Sequence, residues 1–109
     1  MIVINGNPIS RKKVEEGDWC LRTNENGVDV NRNWSYEWKS EDCSGESETC
    51  PGDAPFTEPE PTETKDLLHE FGADIFITIH SGTLGLFTPW AYSTEKASEN
   101  EGPMLEVLG

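Results

Sequence analysis

The chain has 109 residues, room for one small domain, and only 34% of them are apolar. Asp and Glu number 21 against 8 Lys and Arg, a formal net charge of −13. That excess repels phosphate, so neither nucleic acid nor an anionic membrane is an expected partner, and no apolar run approaches the length needed to span a bilayer.

Ile2-Val3-Ile4 is a short β-branched run closed by Asn5-Gly6-Asn7-Pro8, which reads as a buried strand ending in a turn. It is far too short for the apolar region of a secretory signal, and Arg11-Lys12-Lys13 follows it rather than precedes it. From Ser10 to Asn26 the chain is polar and is expected to be irregular. Val28 and Val30 flank Asp29 in a short extended stretch leading into Asn31-Arg32-Asn33-Trp34.

Residues 39–55 have the composition of a loop. A loop of that length inside a compact domain is usually functional or tied down. The three cysteines, Cys20, Cys43 and Cys50, allow one disulfide and one free thiol, or three free thiols, and one bridge involving Cys43 or Cys50 would suit an oxidising compartment. The sequence does not choose the pairing.

Glu58-Pro59-Glu60-Pro61 is a helix entry, because proline and acidic side chains are both favoured in a first turn. The helix is predicted over 61–71, with Leu67, Leu68 and Phe71 on one face and Gly72 as its stop. Ala73 to His80 is a continuous apolar run, the pattern of a strand buried on both faces. Leu84 to Phe87 is a second such run, and Met104 to Leu108 has the pattern of a beginning helix. The order strand, loop, helix, strand, strand predicts an α/β fold, a partial mixed β-sheet with flanking helices.

Two groups stand out chemically. His80 closes the most apolar predicted strand, and in open α/β sheets ligands bind beyond the carboxyl ends of strands. A lone histidine is nonetheless more often structural than a metal ligand. Asn31-Arg32-Asn33 offers a forked guanidinium beside side-chain amides, a donor set that suits an anionic group; alone it could equally be a surface arginine among turn-forming asparagines. His69 is expected on a helix surface, since it and Glu70 cannot face the same way.

Taken together and in order, Gly27-Val28-Asp29-Val30-Asn31-Arg32-Asn33-Trp34, Phe56-Thr57-Glu58-Pro59-Glu60, Ile79-His80-Ser81 and Pro89-Trp90-Ala91-Tyr92 resemble the zinc metallocarboxypeptidases of the carboxypeptidase A/B type. The resemblance implies hydrolytic release of C-terminal amino acids from peptides, with a peptide or protein C-terminus as the partner. It implies that His80 is a Zn2+ ligand, that Asn31 and Arg32 hold the substrate's terminal carboxylate, and that Ser81 lines the neighbouring subsite. It further implies that Arg22 is catalytic, stabilising the oxyanion, and that Asp29 supports a zinc-ligand histidine. Around Arg22 the family pattern is altered, because Cys20 and Leu21 separate Trp19 from it.

The family's remaining zinc ligands, a His-x-x-Glu pair, and its downstream base glutamate have no counterpart in these residues. Residues 1–109 are therefore expected to be a partial catalytic domain, inactive by itself, of a protein in an extracellular or secretory or vacuolar lumen. The alternative is a non-catalytic remnant that binds peptide C-termini.

Overall fold

The computed structural model describes residues 5–44, 47–80, 82, 84–90, 95 and 99–109. The predicted strand at Ile2 to Ile4 lies outside them. The chain divides into two units, Met1–Ile75 and Phe76–Gly109.

In the first unit, α1 spans Pro8–Glu15. Asn7 caps it by accepting a hydrogen bond from the Ser10 N–H at 2.9 Å, and Pro8 occupies the first turn. Lys12 and Lys13 sit in the last turn, and Arg11 pairs with Glu15. This helix replaces the irregular stretch expected from residue 10 onward. The Asn-Pro pair that reads as a turn after a strand is the start of a helix, and no residue of α1 is buried.

The next element is a 3₁₀ turn, Val30–Arg32. Helix α2 then spans Pro59–Phe71, starting two residues before the expected Pro61 because both prolines fit its first turn. It ends on Gly72 in the left-handed conformation, whose N–H donates to the Leu68 carbonyl at 3.0 Å. Leu67 and Leu68 are partly buried, whereas Phe71 is exposed.

The loop over 39–55 is tied down at several points. Cys43 and Cys50 form a disulfide, and Cys20 is free and exposed. The Trp38 indole N–H and the Asn33 side chain both donate to the Pro51 carbonyl. Trp34 and Phe56 meet edge to face with centroids 5.6 Å apart, and the Lys65 ammonium lies 4.8 Å from the centre of the Phe56 ring. Among the described residues the buried apolar side chains include Val28, Cys50 and Pro61, and they share the interior with Asn24, Asp29, Asn33 and Glu58. This interior is mostly polar, so hydrogen bonds rather than aliphatic packing decide its geometry.

The second unit contains α3, Glu101–Leu108, which begins three residues ahead of the expected Met104. The α/β expectation, a partial mixed β-sheet with flanking helices, is corrected here. The described residues hold three α-helices and one 3₁₀ turn and no strand. Residues 73–80 are exposed throughout, with Ile79 93% accessible. A doubly buried strand needs paired neighbours and a layer on each face, and the run from Ala73 to His80 has neither among the described residues.

The Cys43–Cys50 bridge closes a short loop whose end carries polar groups that hold the interior, so its loss is felt there. Replacing both cysteines by serine is expected to lower stability by about 2 kcal/mol in urea unfolding, while Cys20→Ser leaves the midpoint unchanged.

Candidate functional site

The Gly27 to Trp34 block is built from its asparagines outward. Asn24 organises the approach. Its side-chain oxygen accepts from the N–H groups of Asn26 at 3.1 Å and Val28 at 3.0 Å, and its own N–H donates to the Val28 carbonyl at 2.9 Å. Gly27, at φ +77°, permits the tight reversal between them. On the far side, the Asn24 and Asn26 amides both donate to one oxygen of Glu58, a buried carboxylate. Glu58, at the head of α2, makes no side-chain capping bond to its own helix.

Asp29 is 3% exposed and fully engaged. Its N–H donates to the Cys50 carbonyl at 2.8 Å. One carboxylate oxygen caps the 3₁₀ turn by accepting from the Asn31 N–H at 3.0 Å. The other accepts from Arg22 twice, from Nε at 2.9 Å and Nη2 at 2.8 Å. The Asp29 carbonyl accepts from the Arg32 N–H at 2.8 Å. Asn33 closes the turn from the other end and is completely buried.

Between these two anchors, Asn31 and Arg32 point outward and are exposed. The Arg32 guanidinium makes one long hydrogen bond, Nη1 to the Asn31 carbonyl at 3.4 Å, and no ion pair among the described residues. Its forked face is available to a carboxylate, with the Asn31 amide adjacent.

Arg22 stands differently. It is partly exposed and its guanidinium is held by Asp29, so the structure joins two residues whose predicted roles were separate. This ion pair was missed in the sequence, where Arg22 and Asp29 are seven positions apart across a turn. Sequence reasoning also missed the roles of Asn24 and Glu58, which sit outside the Asn31 to Asn33 run.

His80 belongs to the second unit, where it is exposed and its Nε2 lies 3.2 Å from the Thr78 hydroxyl. Ser81 lies outside the described residues. Among the described residues no three His, Cys, Asp or Glu side chains gather closely enough to hold a metal ion. His80 would supply one ligand, whereas catalytic zinc sites use three from protein, so these residues do not by themselves fit the ion. His69 is exposed on α2, as expected, and lines a shallow open groove with Trp34, Lys65 and Leu68.

The family model for zinc carboxypeptidases matches residues 4–107, nearly the whole chain. The chain belongs to the zinc carboxypeptidase family. Two curated relatives agree with that membership. A metallocarboxypeptidase A-like protein of Trichophyton verrucosum is 32% identical over 87 residues, covering 74% of this chain and 21% of its own length. A carboxypeptidase B of Astacus astacus is 33% identical over 73 residues, covering 63% of this chain and 24% of its own length. The chain thus spans between a fifth and a quarter of the length of these curated relatives. No solved structure matches it.

Removing Arg22 leaves the buried Asp29 carboxylate with only backbone and solvent partners. Arg22→Ala is expected to cost about 1–2 kcal/mol in urea unfolding, below the value for a fully buried pair because the arginine side chain is 42% exposed. A double-mutant cycle with Asp29→Asn checks it, since the two changes should be strongly non-additive.

Proposed function

We propose that this chain carries the substrate-carboxylate site of a metallocarboxypeptidase that releases amino acids from the C-termini of peptides. Asn31 and Arg32 hold the terminal carboxylate, and the family resemblance makes His80 a zinc ligand. Ser81 borders the subsite next to the scissile bond. Zinc, when bound in such a centre, activates a water and polarises the scissile carbonyl.

The observation that carries the reading is the presentation of Arg32. Its turn is capped by a buried aspartate and closed by a buried asparagine, and its guanidinium is left facing solvent. An exopeptidase must distinguish a chain end from an internal peptide, and a fixed guanidinium does so by pairing with the terminal carboxylate. Binding energy from that contact, remote from the bond to be broken, orients the reacting peptide.

For Arg22 we propose the oxyanion-stabilising role, with Asp29 aiming it. Two of its five N–H groups are committed to Asp29, and its exposed part retains donors for a developing negative charge. We also propose that the protein is extracellular or in a secretory or vacuolar lumen, a reading supported by the Cys43–Cys50 disulfide.

A second reading, binding of peptide C-termini without hydrolysis, draws support from the same Arg22–Asp29 pair, because an arginine held by a buried carboxylate also serves as a purely structural ion pair. Residues 1–109 are a partial catalytic domain in the first reading and a non-catalytic remnant in the second.

The test is a titration of the chain with an N-acetylated tripeptide and with its C-terminal amide. Wild type should bind the free acid more tightly, and Arg32→Ala should erase about 2 kcal/mol of that preference, the value of a charge-assisted bond to an ionised partner. Equal binding of acid and amide by wild type would contradict the carboxylate site. Release of the C-terminal residue, in the longest natural product containing this segment, separates the hydrolytic reading from the binding one.

A further inference from the structure

We infer that Asn33 is the positioning residue of this carboxylate site: its buried amide fixes the direction in which the preceding residue, Arg32, presents its guanidinium. The inference rests on the reading of Asn31 and Arg32 as carboxylate-binding and assigns the control of that site to a side chain that touches no ligand.

Asn33 is 0% exposed, and its polar groups are all engaged. Its amide nitrogen lies within hydrogen-bonding distance of three acceptors, the carbonyls of Pro51 at 2.7 Å and Ala54 at 2.9 Å and the Thr57 hydroxyl at 2.9 Å. Its amide oxygen accepts from the Glu58 N–H at 3.1 Å. Its carbonyl accepts from the Phe56 N–H at 2.7 Å, and its own N–H donates to Val30 at 3.3 Å. A single side chain therefore locks the end of the 3₁₀ turn to the segment 51–58. Successive residues of a 3₁₀ turn project about a third of a revolution apart, so pinning Asn33 inward holds Arg32 outward.

Gly52 shows how close this packing is. It sits at φ +79°, and a Cβ there would lie 2.8 Å from the Asn33 amide nitrogen and 2.9 Å from the Thr57 hydroxyl. The backbone at 52 comes near enough to exclude any larger residue. The segment 51–58 is itself anchored, by the Cys43–Cys50 disulfide before it and by the start of α2 after it. The direction of Arg32 is thus set by a frame on two sides.

Asn33→Asp tests this with the shape of the side chain kept. It preserves the acceptor for the Glu58 N–H and replaces the donor by an oxygen facing two carbonyls. The probes are the N-acetylated tripeptide with a free terminal carboxylate and its amide, titrated into the chain alongside far-UV circular dichroism and urea midpoints. The readout is the ratio of the two dissociation constants. A positioning role predicts that this acid-over-amide ratio falls about tenfold in a variant that keeps its helical signal, because misplacement of a clamp by a fraction of an ångström costs on that order.

Thr57→Val, which removes one of the three acceptors, should lower the ratio by about twofold to threefold. A merely structural role predicts a lower urea midpoint with an unchanged ratio, and that result in folded Asn33→Asp overturns the inference. If Asn33→Asp does not fold, an unchanged ratio in Thr57→Val overturns it instead. Should wild type bind acid and amide equally, the carboxylate reading fails first and takes this inference with it.

Discussion

The buried amide of Asn33 is the constraint on which the rest of the first unit depends. Its side chain holds the carbonyls of Pro51 and Ala54, the Thr57 hydroxyl and the Glu58 N–H at once. A polar group at zero exposure is costly unless every donor and acceptor is met. Among the described residues no buried side-chain nitrogen or oxygen lacks a partner. That condition is demanding, and it is met in one arrangement of the loop, the 3₁₀ turn and the head of α2. Where the described interior holds so few aliphatic side chains, hydrogen-bond satisfaction does the specifying that packing does elsewhere.

From that frame the surface chemistry follows. Asp29 anchors the front of the turn and Asn33 the back, so the backbone that carries the exposed Asn31 and Arg32 side chains is held at both ends. Glu58 joins the arrangement from α2, receiving the amides of Asn24 and Asn26. Glu60 extends it to α1 by accepting from the Asn7 side chain at 2.7 Å. Two helices and a disulfide loop are thereby referred to the same few polar side chains. The proposed recognition of a peptide's last residue by Asn31 and Arg32 rests on this arrangement.

How much of this was legible in the sequence differs by kind of signal. The family was legible, because its motifs are strings of identical residue types in fixed order and need no folding to be read. Helix α2 was legible to within two residues, since prolines, acidic residues and Gly72 are local signals. Helix α1 was overlooked because Asn7-Pro8 serves a turn and a helix start equally well. The strand reading of residues 73–80 failed for a non-local reason: an apolar run states what it would bury, and not whether anything is there to bury it. The Arg22–Asp29 and Asn24–Glu58 contacts join residues apart in sequence, so composition and spacing were silent about them.

The most direct test of the account is to watch Arg32 itself. In an isotope-labelled chain, the guanidinium Nε–H resonances of Arg22 and Arg32 report separately on their partners. Added N-acetyl amino acid with a free carboxylate should shift the Arg32 resonance strongly and leave the Arg22 resonance, already held by Asp29, nearly still, while the corresponding amide should shift neither. A response at Arg22 with Arg32 unmoved, or equal shifts from acid and amide, would contradict a carboxylate site built on the turn that Asn33 holds.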